Sequence, residues 1–212
     1  MLQNEEFIEE ADKRKWYMFL YESAKKKITT KLEILNDDFQ RTHKYNPIEY
    51  IKARIKSPES ISRKLIRNGY EDTLENMWNN IHDVVGVRLV CSFIPDIYTL
   101  QSMIGNQQDL KLIKVKDYIK EPKESGYKSF HMIVSLPVFS SFGEIRVKVE
   151  IQIRTIAMDF WASLEHKTAY KFEGKPPEYI TKELRETAEM ITELETKMLH
   201  LNEEIRKYEK LG

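Results

Sequence analysis

The eight residues Val147-Lys-Val-Glu-Ile-Gln-Ile-Arg154 alternate apolar and polar side chains without a break. That is the period of a strand with one face in a core, and a helical repeat of 3.6 residues cannot sort these residues onto two faces. Val147, Val149, Ile151 and Ile153 share one side, and Lys148, Glu150, Gln152 and Arg154 share the other. A carboxylate set among two cations and an amide suits a site for a polyanion. The same row also fits an exposed face laced by cross-strand ion pairs, and the strand alone leaves both readings open.

The surrounding pattern is mixed. From Glu5 to about Arg41 there is no Gly or Pro, and Ile28, Leu32, Leu35 and Phe39 follow helical spacing. Asn46-Pro47 reads as an N-cap followed by proline at the first helical position, which predicts a second helix ending near Asn68-Gly69. Thr73 is the expected cap of a short helix to Asn80. Val84–Phe93 is an almost unbroken apolar run, as an interior strand requires. A helix over Ile94–Ile104 and strands over Leu110–Tyr118 and Ser129–Leu136 follow. Phe142-Gly143-Glu144 is a turn into the alternating strand, and Thr155–Lys171 is helical up to the break at Gly174-Lys175-Pro176-Pro177. Beyond it, Ile180, Leu184, Ile191, Leu194, Met198, Leu201, Ile205 and Tyr208 form a heptad-like seam with Thr187 as its polar interruption. Such a seam serves either a helix packed on its own domain or a contact between subunits. The expected architecture is α+β: helices flanking a mixed sheet of four or five strands.

Composition narrows the function classes. The 212 residues carry 34 Lys and Arg against 34 Asp and Glu, so no bulk field draws the chain to nucleic acid or membrane. Any anion site must come from local clustering. The lone Cys91 excludes a disulfide framework and cysteine metal clusters, and its apolar setting marks it as a core residue. The acidic N-terminus lacks the apolar stretch of a secretion signal and no 18-residue apolar span occurs, which predicts a cytoplasmic protein without membrane segments.

Local clusters do exist. Lys116, Lys120, Lys123, Lys128 and His131 interleave with Tyr118, Tyr127 and Phe130 around Glu124-Ser125-Gly126. Cations plus an aromatic ring on a loop suit a nucleotide, although a solvated hairpin loop has the same composition. His131 falls on the polar side of its strand and can face Glu150. Lys52, Arg54, Lys56, Arg63, Lys64 and Arg67 make a basic stripe, with Lys56, Ser60 and Lys64 at four-residue intervals; a solvated helix face reads the same way. In Asp83-Val-Val-Gly-Val-Arg88, strand parity separates Asp83 from Arg88. Both can serve one site only if Asp83 lies in the turn before the strand, where with Glu150 it could hold Mg²⁺. The pair His82-Asp83 also suggests a metal phosphohydrolase dyad, but His43, His131, His166 and His200 lack the spacing to complete one. Neither a phosphate-binding P-loop nor a Rossmann glycine fingerprint occurs.

Three ordered segments, Asp83-Val-Val-Gly-Val-Arg88, Lys123-Glu-Ser-Gly-Tyr-Lys-Ser-Phe-His131 and Glu150-Ile-Gln-Ile-Arg-Thr155, closely resemble the RelA/SpoT synthetase domain. The likeness is greatest to its small alarmone synthetases of the RelQ and RelP types. It runs from about Thr30 to Phe172 and includes Asn46-Pro-Ile-Glu-Tyr-Ile and Trp161-Ala-Ser-Leu-Glu-His166. The resemblance implies a nucleotidyltransferase-like fold with long N- and C-terminal helices: an extension over 1–45, a synthetase core over 46–172 and an oligomerising helix over 173–212. It implies a magnesium-dependent GTP diphosphokinase that moves the β,γ-pyrophosphoryl group of ATP to the 3′-hydroxyl of GDP or GTP, or of GMP. AMP is released, and the ppGpp or pppGpp formed is the alarmone of the stringent response. A hydrolase domain is not expected, since the N-terminal helices leave no room for one. A nucleotide- or RNA-binding regulator on the same scaffold, and a helical interaction protein built on the C-terminal seam, are the competing classes.

By the same resemblance, Asp83 and Glu150 are the catalytic and Mg²⁺-binding carboxylates. Arg54, Lys56, Ser60, Lys64, Arg67 and Arg88 contact ATP, with Arg54 and Arg88 sandwiching the adenine. Tyr127 stacks on the acceptor guanine, Lys116, Lys123, Lys128 and His131 lie near acceptor phosphates, and Gln152 and Arg154 orient reacting groups. Asp159 can accept from the two guanine donors, N1–H and N2–H₂, although its charge would repel nearby phosphates. The preferred acceptor is left open. Family members also imply a homo-oligomer, specifically a tetramer, and product or RNA as candidate allosteric ligands.

Overall fold

In the computed structural model, which describes residues 10–169 and 176–209, the helices α1 (Glu10–Thr42), α2 (Pro58–Arg67), α3 (Leu74–Asn80), α4 (Ile94–Gly105), α5 (Ile156–Ala169) and α6 (Glu178–Glu209) surround five strands. The strands are β1 (Ile48–Ile55), β2 (Val85–Cys91), β3 (Lys111–Asp117), β4 (Phe130–Ser140) and β5 (Gly143–Thr155), and they form one sheet in the order β1-β2-β5-β4-β3. Only β2 and β5 pair in parallel; the other pairs are antiparallel. The expected helix start at Glu5, the helix end at Lys171 and the break at Gly174-Lys175 lie outside the described residues.

The alternation in β5 does what its period demands. Val147, Val149, Ile151 and Ile153 are fully buried, joined by Val87 and Leu89 of β2 and by Met132, Val134 and Leu136 of β4. Across this apolar face lies α1, whose stripe Tyr17, Leu20, Tyr21, Ala24, Ile28, Leu32 and Phe39 follows one helical face and is buried. Beside it α4 buries Ile97, Leu100 and Ile104. Cys91 closes the end of β2 in the same core, and burial pushes its thiol well above the ordinary range. A thiol buried in this way belongs to the core.

One element departs from the sequence expectation. Residues 48–55, expected as the first turns of a second helix, form the edge strand β1. Ile48, Ile51 and Ile55 satisfy helical spacing, which hid a second pattern: Ile51, Ala53 and Ile55 turn inward while Tyr50, Lys52 and Arg54 face out. A register shift between Ile48 and Tyr50 lets both Ile48 and Ile51 reach the core, as a bulge does. Asn46 caps no helix; its Oδ1 accepts from the Ile48 N–H at 3.0 Å in the turn leading to the strand. The helix begins at Pro58, where Ser57 is the N-cap and its Oγ accepts from the Ser60 N–H at 3.3 Å. Thr73 caps α3 as expected, its hydroxyl accepting from the Asn76 N–H at 3.2 Å.

The heptad seam of α6 serves two surfaces. Leu184 and Ile191 pack with Ala188 against Trp161 and Ala162 of α5 and against Tyr127. Leu194, Met198, Leu201, Ile205 and Tyr208 are more than half exposed.

Candidate active site

The sheet face opposite α1 is polar, and strand register puts its chemistry in rows. Directly paired residues point to the same side. One row runs Arg54, Gly86, Glu150, Ile133, and the next runs Lys52, Arg88, Gln152, His131, Lys116. The parallel pairing of β2 and β5 is what sets Gly86 against Glu150. A side chain built at Gly86 would meet nothing within 4 Å, so the floor between Arg54 and Glu150 is open.

Asp83 lies in the turn that enters β2, which frees it from strand parity and lets it share a site with Arg88. Lys56, just past β1, and Lys64 of α2, at 2.7 Å, both bond its Oδ2. Burial pushes the Asp83 carboxyl up, but the two ammonium groups outweigh it and hold the carboxyl below its usual range. Glu150 is held differently. His131 Nδ1 lies 3.1 Å from its Oε1, and Gln152 Nε2 donates to its Oε2 at 2.7 Å. Burial again opposes ionisation and is outweighed, here by His131 and the Gln152 amide, while the charge of Asp83 pushes the Glu150 carboxyl upward. Register relates the two: Gly86 pairs with Glu150, and Asp83 lies three residues before Gly86 in the chain.

From Glu150 the hydrogen bonds close into a ring. His131 Nε2 meets the Tyr127 hydroxyl at 2.9 Å, Arg154 Nη2 donates to that hydroxyl at 2.7 Å and to Gln152 Oε1 at 2.9 Å, and Gln152 returns to Glu150. Each member fixes the rotamer of the next, which preorganises Glu150. Lys123 caps the cluster, its ammonium 4.7 Å from the Tyr127 ring centroid and 5.1 Å from that of Tyr118.

Several expected residues are placed otherwise. Asp159, expected to read guanine, is buried at the start of α5, where its Oδ1 takes Arg88 and Arg154, each at 3.0 Å, and its Oδ2 takes the Tyr50 hydroxyl. Both of its oxygens are engaged by the protein, and it ties the end of the sheet to α5. Lys128, expected at acceptor phosphates, donates to Thr192 Oγ1 on α6 at 2.9 Å. The basic stripe is not one helix face: Lys52 and Arg54 belong to β1, Lys56 precedes the cap, and only Ser60, Arg63, Lys64 and Arg67 ride on α2. Arg67 is exposed at the last turn, and Ser60 Oγ accepts from Ser57 Oγ at 3.0 Å. Lys116 stands exposed at the β3 edge of the polar face.

Sequence reasoning gave no site role to Tyr50 or Gly86 and named Lys148 only as one of the polar row on β5. Tyr50 was hidden by the helical reading of its segment. Lys148 shares the face of Glu150 and donates to the Asn79 carbonyl at 3.0 Å, where burial lowers its ammonium pKa.

A divalent cation suits this donor set. Asp83 Oδ1 is buried without a hydrogen-bond partner, and a carboxylate oxygen in that state is a ready ligand for a hard cation. Among the described residues no cluster of three or more His, Cys, Asp or Glu could cage a metal. Two carboxylates with phosphate and water completing the shell is the manner in which Mg²⁺ binds.

The sequence pattern of the region found in RelA and SpoT proteins matches residues 53–175, more than half of the chain. The chain belongs to the RelA/SpoT family. It is 47% identical over 188 residues to the GTP pyrophosphokinase YwaC of Bacillus subtilis, which covers 89% of this chain and 90% of that protein. Among solved structures, small alarmone synthetase 1 of Bacillus subtilis bound to its product pppGpp superposes with a TM-score of 0.83 at 34% identity, covering 91% of this chain and 98% of that one. Small alarmone synthetase 2 from the same organism superposes with a TM-score of 0.81 at 46% identity, covering 90% and 98%. The family's fold is thus the five-stranded mixed sheet with flanking helices described above, and among the described residues no helix is long and apolar enough to cross a membrane.

Proposed function

We propose that this chain is a (p)ppGpp synthetase, a GTP pyrophosphokinase that joins the β,γ-pyrophosphoryl group of ATP to the 3′-hydroxyl of a guanine nucleotide. The observation that carries the reading is Glu150, held by His131 and Gln152 on the polar sheet face beside the strand that Asp83 enters, in a chain akin to YwaC over nearly its whole length. A regulator that only bound nucleotide would have no use for a preorganised pair of carboxylates.

ATP lies on the β1–β2 side. Arg54 and Arg88 flank the open floor at Gly86, where guanidinium planes can stack on adenine, and Lys56, Ser60, Lys64 and Arg67 rim the phosphate end. The acceptor lies on the β4 side, with guanine on Tyr127 and its phosphates near Lys116, Lys123 and His131. Asp83 and Glu150 hold Mg²⁺, which when bound neutralises phosphate charge and polarises the transferred group. The 3′-oxygen attacks the β-phosphorus in line, the bond from that phosphorus to the α,β-bridging oxygen breaks, and AMP departs with that oxygen. The hydroxyl proton goes to Glu150. Each Glu150 oxygen accepts one hydrogen bond and keeps a lone pair, so the carboxylate can be held in place and still take a proton. Its lowered pKa keeps it ionised at neutral pH.

The exposed half of the α6 seam supports self-association, with the tetramer as the proposed state. The synthetase core is proposed over 46–172, between an N-terminal helical extension over 1–45 and an oligomerising segment over 173–212, and the enzyme is proposed to act in the cytoplasm. Incubation with ATP, Mg²⁺ and GMP, GDP and GTP in competition, followed by chromatography, tests the activity. AMP and a 3′-pyrophosphorylated guanine nucleotide should appear in equal amounts. No product from any of the three acceptors overturns the assignment.

A further inference from the structure

The loop that carries Lys123 and Tyr127 does not stand free. Gly126 sits at its crest with φ of 87°, a conformation open to glycine, and lies hard against α6. A side-chain carbon at Gly126 would come within 2.6 Å of Ala188 Cβ and 3.2 Å of Arg185 Cα. Backbone and helix are therefore in contact, and the seat is as small as side chains allow: no side chain on one side and a methyl group on the other.

Polar fasteners surround this contact. Arg185 Nε donates to the Glu124 carbonyl at 3.0 Å, and Lys128 Nζ reaches Thr192 Oγ1 at 2.9 Å. They clip the loop to α6 on both sides of Gly126, one helical turn above and below Ala188. The helix is fixed in turn to the domain, since Trp161 Nε1 of α5 donates to the Leu184 carbonyl at 3.2 Å and Ala188 is buried between Trp161 and Tyr127. Within the loop, the Gly126 N–H bonds the Lys123 carbonyl at 2.8 Å and the Lys123 N–H bonds the Tyr127 carbonyl at 3.2 Å, which makes 123–127 one stiff turn. A shift of α6 would therefore move Tyr127 and Lys123 together.

We propose that the first half of α6 is a positioning element for the acceptor nucleotide, with Ala188 setting the height of the loop and Arg185 and Lys128 fastening it. None of these three touches the reacting atoms. They act through Tyr127 and Lys123, so the proposal rests on the acceptor reading of those two residues. It also accounts for the direction of Lys128, a loop cation turned away from the polar face.

The test compares Ala188→Val, which pushes the seat toward Gly126, with Arg185→Ala, which removes one exposed fastener without threatening the fold, and with Arg185→Lys, which keeps a cationic donor. In Ala188→Val the acceptor KM should rise about tenfold while kcat and the ATP KM stay within about twofold, the signature of lost ground-state positioning on one substrate. Arg185→Ala should raise the acceptor KM about threefold and Arg185→Lys should recover most of that. Amide exchange at 123–128 should quicken in Ala188→Val and Arg185→Ala, a readout independent of turnover. An unchanged acceptor KM with unchanged exchange overturns the proposal, and so does a parallel rise in both KM values. If the unaltered chain forms no product yet exchange still quickens in the variants, the positioning stands and the synthetase reading falls.

Discussion

Asp83, three residues before Gly86, and Glu150, the strand partner of Gly86, are held by opposite means. Asp83 sits in a turn between two ammonium groups, so its charge is neutralised by full cations and one oxygen is left without a partner. Glu150 sits in mid-strand and is held by an imidazole and an amide within a hydrogen-bonded ring, with both oxygens engaged but neither saturated. The first arrangement anchors charge: Asp83 welds β1 and α2 to the mouth of β2. The second anchors geometry. Two carboxylates of the same family motif set thus divide the work, one mostly structural and electrostatic and the other mostly directional.

Substitution should separate these roles. Glu150→Gln keeps the shape and one acceptor, so its stability loss should be about 1 kcal/mol. Its turnover should fall about a thousandfold, equivalent to roughly 4 kcal/mol of barrier. Asp83→Ala leaves Lys56 and Lys64 facing each other, part-buried and without their counter-charge, at a cost of about 2–3 kcal/mol. For a chain of this size that lowers the melting temperature by roughly 5–10 °C, in addition to the loss of activity. Calorimetry and single-turnover rates on the two variants check the contrast. Equal melting temperatures would erase it.

A milder probe is acid. Both carboxyls are held below their ordinary values, 4.5 for Glu150 and 3.8 for Asp83. Between those values and the lower ones of the folded state, the unfolded chain binds more protons than the native one. The stabilisation is therefore full above the ordinary value and lost as pH falls through the folded one. Glu150 enters this window first, near pH 4.5, and Asp83 follows near 3.8. The melting temperature should fall on acidification below these points, and Glu150→Gln should make the descent that begins near pH 4.5 shallower. A Glu150→Gln profile that parallels the unaltered chain throughout would show that the ring contributes no linked stability.

Much of this was legible in the sequence, because the periods that define strands and helices also define what is buried. The alternation of Val147–Arg154 placed Glu150, Gln152 and Arg154 on one polar face, and the apolar run from Val84 marked the strand beside it. What the sequence could not show was register. Nothing in Asp83 or Glu150 alone says that Gly86 pairs with Glu150, since the parallel pairing joins residues 64 apart in the chain. The reading of 46–68 as one helix failed where two periods overlap: Ile51 and Ile55 fit both, Ile48 completes the helical one and Ala53 the strand one, and tertiary pairing with β2 decided between them. That error also concealed Tyr50 on the site face. Lys128 and Asp159 were assigned to ligands by motif, but both have partners within the protein that only the docking of α5 and α6 creates.

Asp159 is the third carboxylate of the face, and it permits the finest cut. It differs from the other two in its partners: Arg88 and Arg154 share its Oδ1, and the Tyr50 hydroxyl donates to its Oδ2. Burial and the hydrogen bond to Asp159 push the Tyr50 hydroxyl up to about 12, so it stays protonated and donates across the whole working range. Tyr50→Phe removes that donor and leaves both guanidinium groups in place. The expected loss is about 1 kcal/mol of stability, with kcat/KM reduced by no more than about threefold. Arg88 would keep its anchor, so the ATP KM should barely move. A tenfold drop in kcat with both KM values intact would place the Tyr50–Asp159 pair among the groups that act on the reacting atoms, and the division between anchored and working carboxylates would have to be redrawn.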